Sequence, residues 1–153
     1  MKTRHATLDD VPNLCELLKQ LFEQEAEFSA DSFCQESGLR LILENPFYGH
    51  IIVGCVEGEI VGMVNLLYTV STFMGKKVAI IEDMVVCPEQ RRKGYGDIIL
   101  NAAILHARDV GCGRVTLLTD SVNYSAIKFY ERSGFAKSTM TPFRLVLDEN
   151  HTA

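Results

Sequence analysis

Two carboxylates interrupt an apolar stretch in the middle of the chain. Residues 78–86 are mostly aliphatic, as in a buried strand, yet Glu82 and Asp83 lie among them. Partly apolar surroundings could raise the pKa of a carboxylate, which would suit it to accept a proton from an attacking group. In a regular strand the two side chains point to opposite faces, and a β-bulge could reverse which one serves as base. For each residue, a plain ion pair with Lys or Arg is the alternative.

A basic loop with two glycines follows this strand. Pro88 ends the strand because it cannot donate a ladder hydrogen bond, and a helical pattern starts near Ile98. The first turn of a helix has unpaired N–H groups, and glycine allows close approach of a diphosphate. The loop therefore predicts a site for a pyrophosphate-bearing cofactor, with a solvated basic turn as the alternative. Its residues of interest are Arg91, Arg92, Lys93, Gly94 and Gly96.

A second pattern runs from Asn123 to Phe135. Asn123, Ala126 or Ile127, and Tyr130 recur at helical spacing, so they share one face of a helix. Considered alone, these residues are consistent with structural roles, Tyr130 as a core aromatic residue and Asn123 as a helix cap.

Together the two segments resemble the GCN5-related N-acetyltransferase (GNAT) family. The family's acyl-CoA pyrophosphate loop reads Q/R-x-x-G-x-G/A, which Arg91, Gly94 and Gly96 match. Its later segment N-x-x-A-x-x-F/Y-Y-x-x-x-G-F is matched from Asn123 to Phe135. The resemblance covers almost the whole chain and implies the acyl-CoA N-acyltransferase fold.

The resemblance also implies a cofactor site for acetyl-CoA, which acts as the acyl-donor substrate, and no metal. Backbone groups of Met84 and Val86 would pair with the pantetheine arm, where the strand separates from its parallel neighbour. The side chain of Asn123 would bind the pantetheine amides. The cofactor-binding set is Met84, Val85, Val86, Arg91, Arg92, Lys93, Gly94, Tyr95, Gly96, Asn123 and Tyr130.

The implied chemistry is direct transfer of the acetyl group to an amine. Glu82 is the first choice of general base, directly or through a water, and Asp83 is the second. A backbone N–H at Val85 or nearby would stabilise the oxyanion. Tyr130 would act as general acid toward the thiolate.

Several acceptors remain open. A small-molecule amine comes first: an amino sugar, a polyamine, an aminoglycoside or an amino acid derivative. A protein N-terminus or lysine is the second choice, and a non-catalytic acyl-CoA-binding module is the alternative of another class. The first two helices and the loop Ser71–Gly75 should form the acceptor groove. An acidic groove holding Glu23, Glu25 and Glu27 would favour a polyamine or an aminoglycoside.

Bulk properties narrow the class of protein. The chain has 153 residues and a formal net charge of −5, which disfavours nucleic acid as a partner. No apolar run reaches membrane-spanning length, and the five cysteines lack zinc or disulfide spacing. We expect a cytoplasmic protein with one domain over residues 1–148, a mobile tail over 149–153, no membrane partner and a possible homodimer.

The order of elements predicts the fold. A strand, two helices, a three-stranded meander, a helix, a strand, a further helix and a last strand pair indicate an α/β (α+β) protein. Its central sheet should be mixed and mostly antiparallel, with helices on both faces. A final strand pair is expected at Phe135–Ser138 and Phe143–Leu147.

Overall fold

Turn residues divide the middle of the chain into a β-meander. In the computed structural model, which describes residues 1–23 and 31–147, the meander consists of β2 (Gly49–Val56), β3 (Glu59–Ser71) and β4 (Lys76–Val86). The turn between β2 and β3 has positive φ at both Glu57 and Gly58, 52° and 90°, as a tight hairpin requires.

Two more strands complete the sheet. β1 (Lys2–His5) pairs antiparallel with β2, and β5 (Val115–Leu117) pairs parallel with β4. The spatial order is β1-β2-β3-β4-β5, so three antiparallel pairs are joined to one parallel pair. The predicted mixed, mostly antiparallel sheet is confirmed.

Within the described ranges, four α-helices flank this sheet, and local capping sets several of their starts. The helices are α1 (Val11–Phe22), α2 (Ser32–Glu44), α3 (Tyr95–Asp109) and α4 (Tyr124–Arg132). Before α1, the amide of Thr7 donates to Asp10 at 2.8 Å. The carboxylate of Asp31 accepts from the first-turn amides of α2.

Helices cover both faces of the sheet, as predicted. One apolar cluster joins α1 and α2 to one face, and its members include Leu14, Leu17, Leu39, Met63 and Val85. A second cluster joins α3 to the other face, and its members include Val64, Ala79, Ile81, Ile99 and Leu100. These two clusters hold the central strands rigidly between two helical layers.

A β-bulge lies in β4 at the two carboxylates. The register between β3 and β4 shifts between Val64 and Leu66, so Asn65 alone stands opposite Glu82 and Asp83. The extra residue in β4 changes the phase of the side-chain alternation from this point on.

The predicted final strands are absent from the structure. Residues 135–147 contain no strand, so the prediction for Phe135–Ser138 and Phe143–Leu147 is wrong. The side chains of Phe143, Leu145 and Leu147 are 97%, 82% and 89% exposed. A strand needs a paired neighbour, and this segment has none among the described residues. The predicted domain end at residue 148 and the tail over 149–153 lie outside the described residues.

Candidate active site

β4 continues past the end of β5. Its parallel pairing with β5 covers only Ala79, Ile80 and Ile81. From Glu82 to Val86, one edge of β4 has no strand beside it within the described part of the chain. Backbone groups along this edge are available to a ligand, apart from the Val86 carbonyl, which accepts from Arg91. This is the separation of strands that the resemblance implied.

The direction of the β4 amides follows from the pairing with β3. The amide of Cys87 donates to the carbonyl of Val61 at 2.9 Å. Only alternate residues of an antiparallel strand bond to a given neighbour, so the amide of Val85 also faces β3. The amides of Met84 and Val86 face the open edge. Val85 is therefore poorly placed as an oxyanion donor, while Met84 and Val86 suit the contacts predicted for them.

The basic loop between β4 and α3 contains two left-handed residues. Arg92 has φ 60° and Gly94 has φ 77°. Positive φ is uncommon for a residue other than glycine, and such strain clusters at ligand sites. The side chain of Arg91 donates to the carbonyl of Val86 at 2.9 Å, and Lys93 donates to Gln90 at 2.8 Å. These bonds fix the loop against the end of β4.

The loop leads directly into α3. Because an α-helix begins at Tyr95, the amides of its first turn have no partner inside the helix. Gly94 precedes them without a side-chain cap. The positive end of the helix dipole adds to the three basic side chains, so the electrostatics favour an anion.

The strand, the loop and the last helix converge at Gly96. A Cβ placed on Gly96 would lie 3.4 Å from the ring of Phe129 and 3.9 Å from Met84 Cε. Tyr130 packs at the same end, with ring centroids 5.1 Å from Phe129 and 5.8 Å from Phe135. The two sequence motifs thus lie side by side on the α3 side of the sheet.

Asn123 caps α4. Its side-chain oxygen accepts from the amide of Ala126 at 3.1 Å. The structural alternative considered for this residue is therefore present, and a pantetheine contact would use its remaining amide nitrogen. That contact stays a prediction.

On the other side of β4, exposed Glu82 and half-buried Asp83 border a cavity of about 310 Å³ between the sheet and the first two helices. Both line it, because the bulge brings neighbouring residues of the strand to one cavity. The expectation that Glu82 and Asp83 face opposite sides holds for a regular strand and fails here. Their companions with polar side chains are Asp31, Gln35 and Asn65, and the walls include Leu18, Phe22, Leu39 and Ile42.

Asn65 and Gln35 are cavity residues that sequence reasoning missed. Asn65 is 3% exposed and donates to Asp83 through Nδ2 at 2.6 Å. The oxygen of Asn65 and the amide nitrogen of Gln35, itself 8% exposed, are buried without a hydrogen-bond partner in the described structure. In the sequence, Asn65 and Gln35 look like ordinary polar positions of a strand and of a helix start. Their place in the cavity can be seen only once the packing of these elements is known.

This cavity has only part of the lining that was predicted for an acceptor groove. α1 and α2 line it, whereas no residue of the loop Ser71–Gly75 does. Of the predicted acidic residues, Glu25 and Glu27 lie outside the described residues, and Glu23 does not line the cavity.

A cluster of histidines around Tyr68 was also missed, because its members come from four separate elements. The Tyr68 hydroxyl lies 2.8 Å from His50 Nδ1 and 2.9 Å from His106 Nε2. The ring of His5 is 4.7 Å from that of His106. Burial lowers the pKa of His50 and of His106 and raises the pKa of Tyr68 to about 12. Over the described residues, no group of three or more His, Cys, Asp or Glu is arranged to hold a metal ion.

An open strand edge beside a cationic glycine loop, on a mixed sheet with helices on both faces, defines an acyl-CoA N-acyltransferase. The chain belongs to the Acetyltransferase (GNAT) family, whose pattern matches residues 12–135. It is an acetyltransferase, for which acetyl-CoA is the family's donor. Among the described helices, none combines the length and the apolar character needed to cross a bilayer.

Individual proteins of known name or structure are also similar to this chain. The chain is 34% identical over 122 residues to the uncharacterised N-acetyltransferase YhfO of Bacillus subtilis, covering 78% of this chain and 81% of the relative. It is 30% identical over 135 residues to the aminoalkylphosphonate N-acetyltransferase of Salmonella typhimurium, covering 88% and 84%. A solved integron cassette protein from a salt-marsh metagenome superposes with a TM-score of 0.85 at 25% identity, covering 95% and 90%.

Proposed function

We propose that the protein transfers the acetyl group of acetyl-CoA directly to the amine of a small molecule. The observation that carries the proposal is the cavity on the α1–α2 side, which has two adjacent carboxylates beside the open edge of β4. A volume of about 310 Å³ is at the lower end of the range for small-molecule sites. A protein N-terminus or lysine is therefore the second candidate.

Acetyl-CoA would bind on the opposite side of β4. Its pyrophosphate would accept hydrogen bonds from the first-turn amides of α3 and from the loop at Gly94, with Arg91, Arg92 and Lys93 supplying charge. The pantetheine arm would run along the open edge of β4 and pair with Met84 and Val86. The thioester would then reach the carboxylates through the gap beyond the end of β5.

The reaction needs three groups. Glu82 or Asp83 removes a proton from the ammonium, and the free amine nitrogen attacks the thioester carbonyl carbon. As the C–N bond forms, an amide of Met84 or Val86 stabilises the negative oxygen. The nitrogen then gives up its second proton to solvent as the C–S bond breaks, and Tyr130 protonates the departing thiolate and recovers its own proton from solvent. The products are an N-acetylated amine and free CoA.

The substitution Tyr130→Phe tests the assignment of the acid. Removing the hydroxyl should lower kcat by roughly 10²-fold or more, while the Kd for CoA changes little because the ring still packs against Phe129. Tyr124→Phe is the matched control, since Tyr124 lies on the same helix and is 69% exposed. Free thiol release gives kcat and calorimetry gives Kd. Equal losses of turnover and of CoA binding would contradict the assignment.

A non-catalytic acyl-CoA-binding module predicts a different result. Such a protein would bind CoA in calorimetry and release no thiol with any amine. The family of the chain and its named relatives support an enzyme, and the carboxylate pair and Tyr130 are the groups that its chemistry would use. A panel of primary amines, read as thiol release, separates the two functions.

A homodimer in the cytoplasm is the remaining part of the proposal. The exposed side chains of Phe143, Leu145 and Leu147 offer an apolar surface for a second copy. The five cysteines form no disulfide with one another, which suits a reducing compartment. Light scattering on the purified protein measures the oligomeric state.

A further inference from the structure

The charged side chains in the described lining of the acceptor cavity are all negative. Its described lining contains three carboxylates, on Asp31, Glu82 and Asp83, and no Lys, Arg or His. The rest of the lining is apolar or uncharged. A ligand with its own carboxylate or phosphonate would meet these charges without any cation to pair with it, which disfavours binding.

The two unpartnered amide atoms add a second observation. Asn65 uses its nitrogen on Asp83, so its buried oxygen is left to accept a hydrogen bond. The buried nitrogen of Gln35 is left to donate one. Buried polar groups are nearly always satisfied by a ligand, a water or the protein. An ammonium can donate to Asn65, and a hydroxyl or a neutral amine can accept from Gln35.

From these contacts we infer that the acceptor is a small cationic amine that carries no anionic group, such as a diamine or an amino alcohol. Gln35 and Asn65 are its positioning residues, and Asp31 and Asp83 supply the matching charge. The inference rests on the proposed function and selects one class among its acceptors. It also separates this chain from its aminoalkylphosphonate-acetylating relative, whose named substrate is anionic.

Four amines of similar length test the inference. They are 1,4-diaminobutane, 4-aminobutan-1-ol, 4-aminobutanoate and 3-aminopropylphosphonate, and they differ chiefly in the charge of the second group. With saturating acetyl-CoA, thiol release should give kcat/KM values for the first two that exceed those of the anionic pair by about tenfold or more. An anionic amine that equals or surpasses 4-aminobutan-1-ol overturns the inference and leaves the proposed function standing. If CoA binds and all four amines are inert, both fail.

A second experiment removes one negative charge from the cavity. Asp31→Asn keeps a good N-cap for α2 but removes one negative charge from the cavity, so the ratio of kcat/KM for diamine over 4-aminobutanoate should fall several-fold. Glu36→Gln is the control, because Glu36 lies on the same helix, does not line the cavity and pairs with Arg40 on the surface. For Glu36→Gln, the ratio of the two kcat/KM values should match that of the unmodified protein. Equal ratios for Asp31→Asn and Glu36→Gln would contradict the charge argument.

The role of Gln35 has its own readout. Gln35→Met preserves the size of the side chain and removes the amide donor. The KM for 4-aminobutan-1-ol should rise about tenfold, whereas kcat changes little, because the donor orients the acceptor and takes no part in proton transfer. A loss confined to kcat, or no change in KM, would overturn the assignment.

Discussion

Replacing Gly94 with alanine separates a binding role from mere backbone strain. Gly94 has φ 77°, and Gly111, at the other end of α3, has φ 83°. At neither position would an added Cβ meet a described atom within 4 Å. Gly94→Ala and Gly111→Ala therefore impose the same kind of strain and no clash. Each should cost about 1–2 kcal/mol, since the left-handed region disfavours side chains by that amount.

The stability of the two variants should be nearly equal. For a domain of this size, about 1–2 kcal/mol corresponds to a drop in Tm of roughly 2–8 °C. Differential scanning fluorimetry without ligand measures this drop. A large difference between the two variants would mean that the strain argument is incomplete.

Affinity for CoA should distinguish them. Only Gly94 adjoins the amides proposed to bind the pyrophosphate, so relaxation of its backbone moves those donors. Losing one hydrogen bond to a charged group costs about 1.5–3 kcal/mol, which is roughly 10- to 150-fold in Kd. Calorimetry should show this loss for Gly94→Ala and none for Gly111→Ala. Unchanged affinity in folded Gly94→Ala would refute the loop assignment.

Three further predictions concern stability. Because burial lowers the pKa of His50 and His106 below 6.5, the unfolded chain gains protons first as pH falls, so the free energy of unfolding should hold above about pH 6.5 and decline below it. Denaturant titrations at several pH values test this, and His106→Gln should weaken the decline. Asp10→Ala removes the Arg4 ion pair and the cap before α1, at 2.7 Å and 2.8 Å, and should cost about 1–2 kcal/mol in the same titrations. Gly62→Ala should lower Tm more than Gly94→Ala, because its Cβ would lie 2.8 Å from a backbone oxygen of β4.

Local patterns predicted the elements that carry the cofactor motifs. β4 runs from Lys76 to Val86 because Gly75 makes the turn before it and Pro88, as predicted, stops the ladder after it. α4 lies within the pattern from Asn123 to Phe135, and Asn123 caps it. Such signals are local in sequence, so they can be interpreted without knowledge of the tertiary structure.

Features that depend on distant pairing could not be predicted in this way. The bulge is a property of the pairing between β3 and β4. From the sequence, both a regular strand and a bulged strand were therefore open. The cluster around Tyr68 needs β1, β2, β3 and α3 to meet. The strand expected at Phe143–Leu147 is absent from the structure. Its pattern of apolar residues is typical of a strand, but such a pattern alone does not provide a neighbouring strand to pair with.

The bulge keeps both core layers in phase across one extra residue. Ile81 and Met84 belong to the α3 layer although they are three positions apart, while Val85 belongs to the α1–α2 layer. In a regular strand a single residue separates two neighbours on the same face, so deleting either Glu82 or Asp83 should restore plain alternation and leave Met84, Val85 and Val86 in their layers. One of the two carboxylates therefore occupies a position that the core does not need, and a single-codon deletion there should cost the cavity one acidic group while sparing the end of the strand.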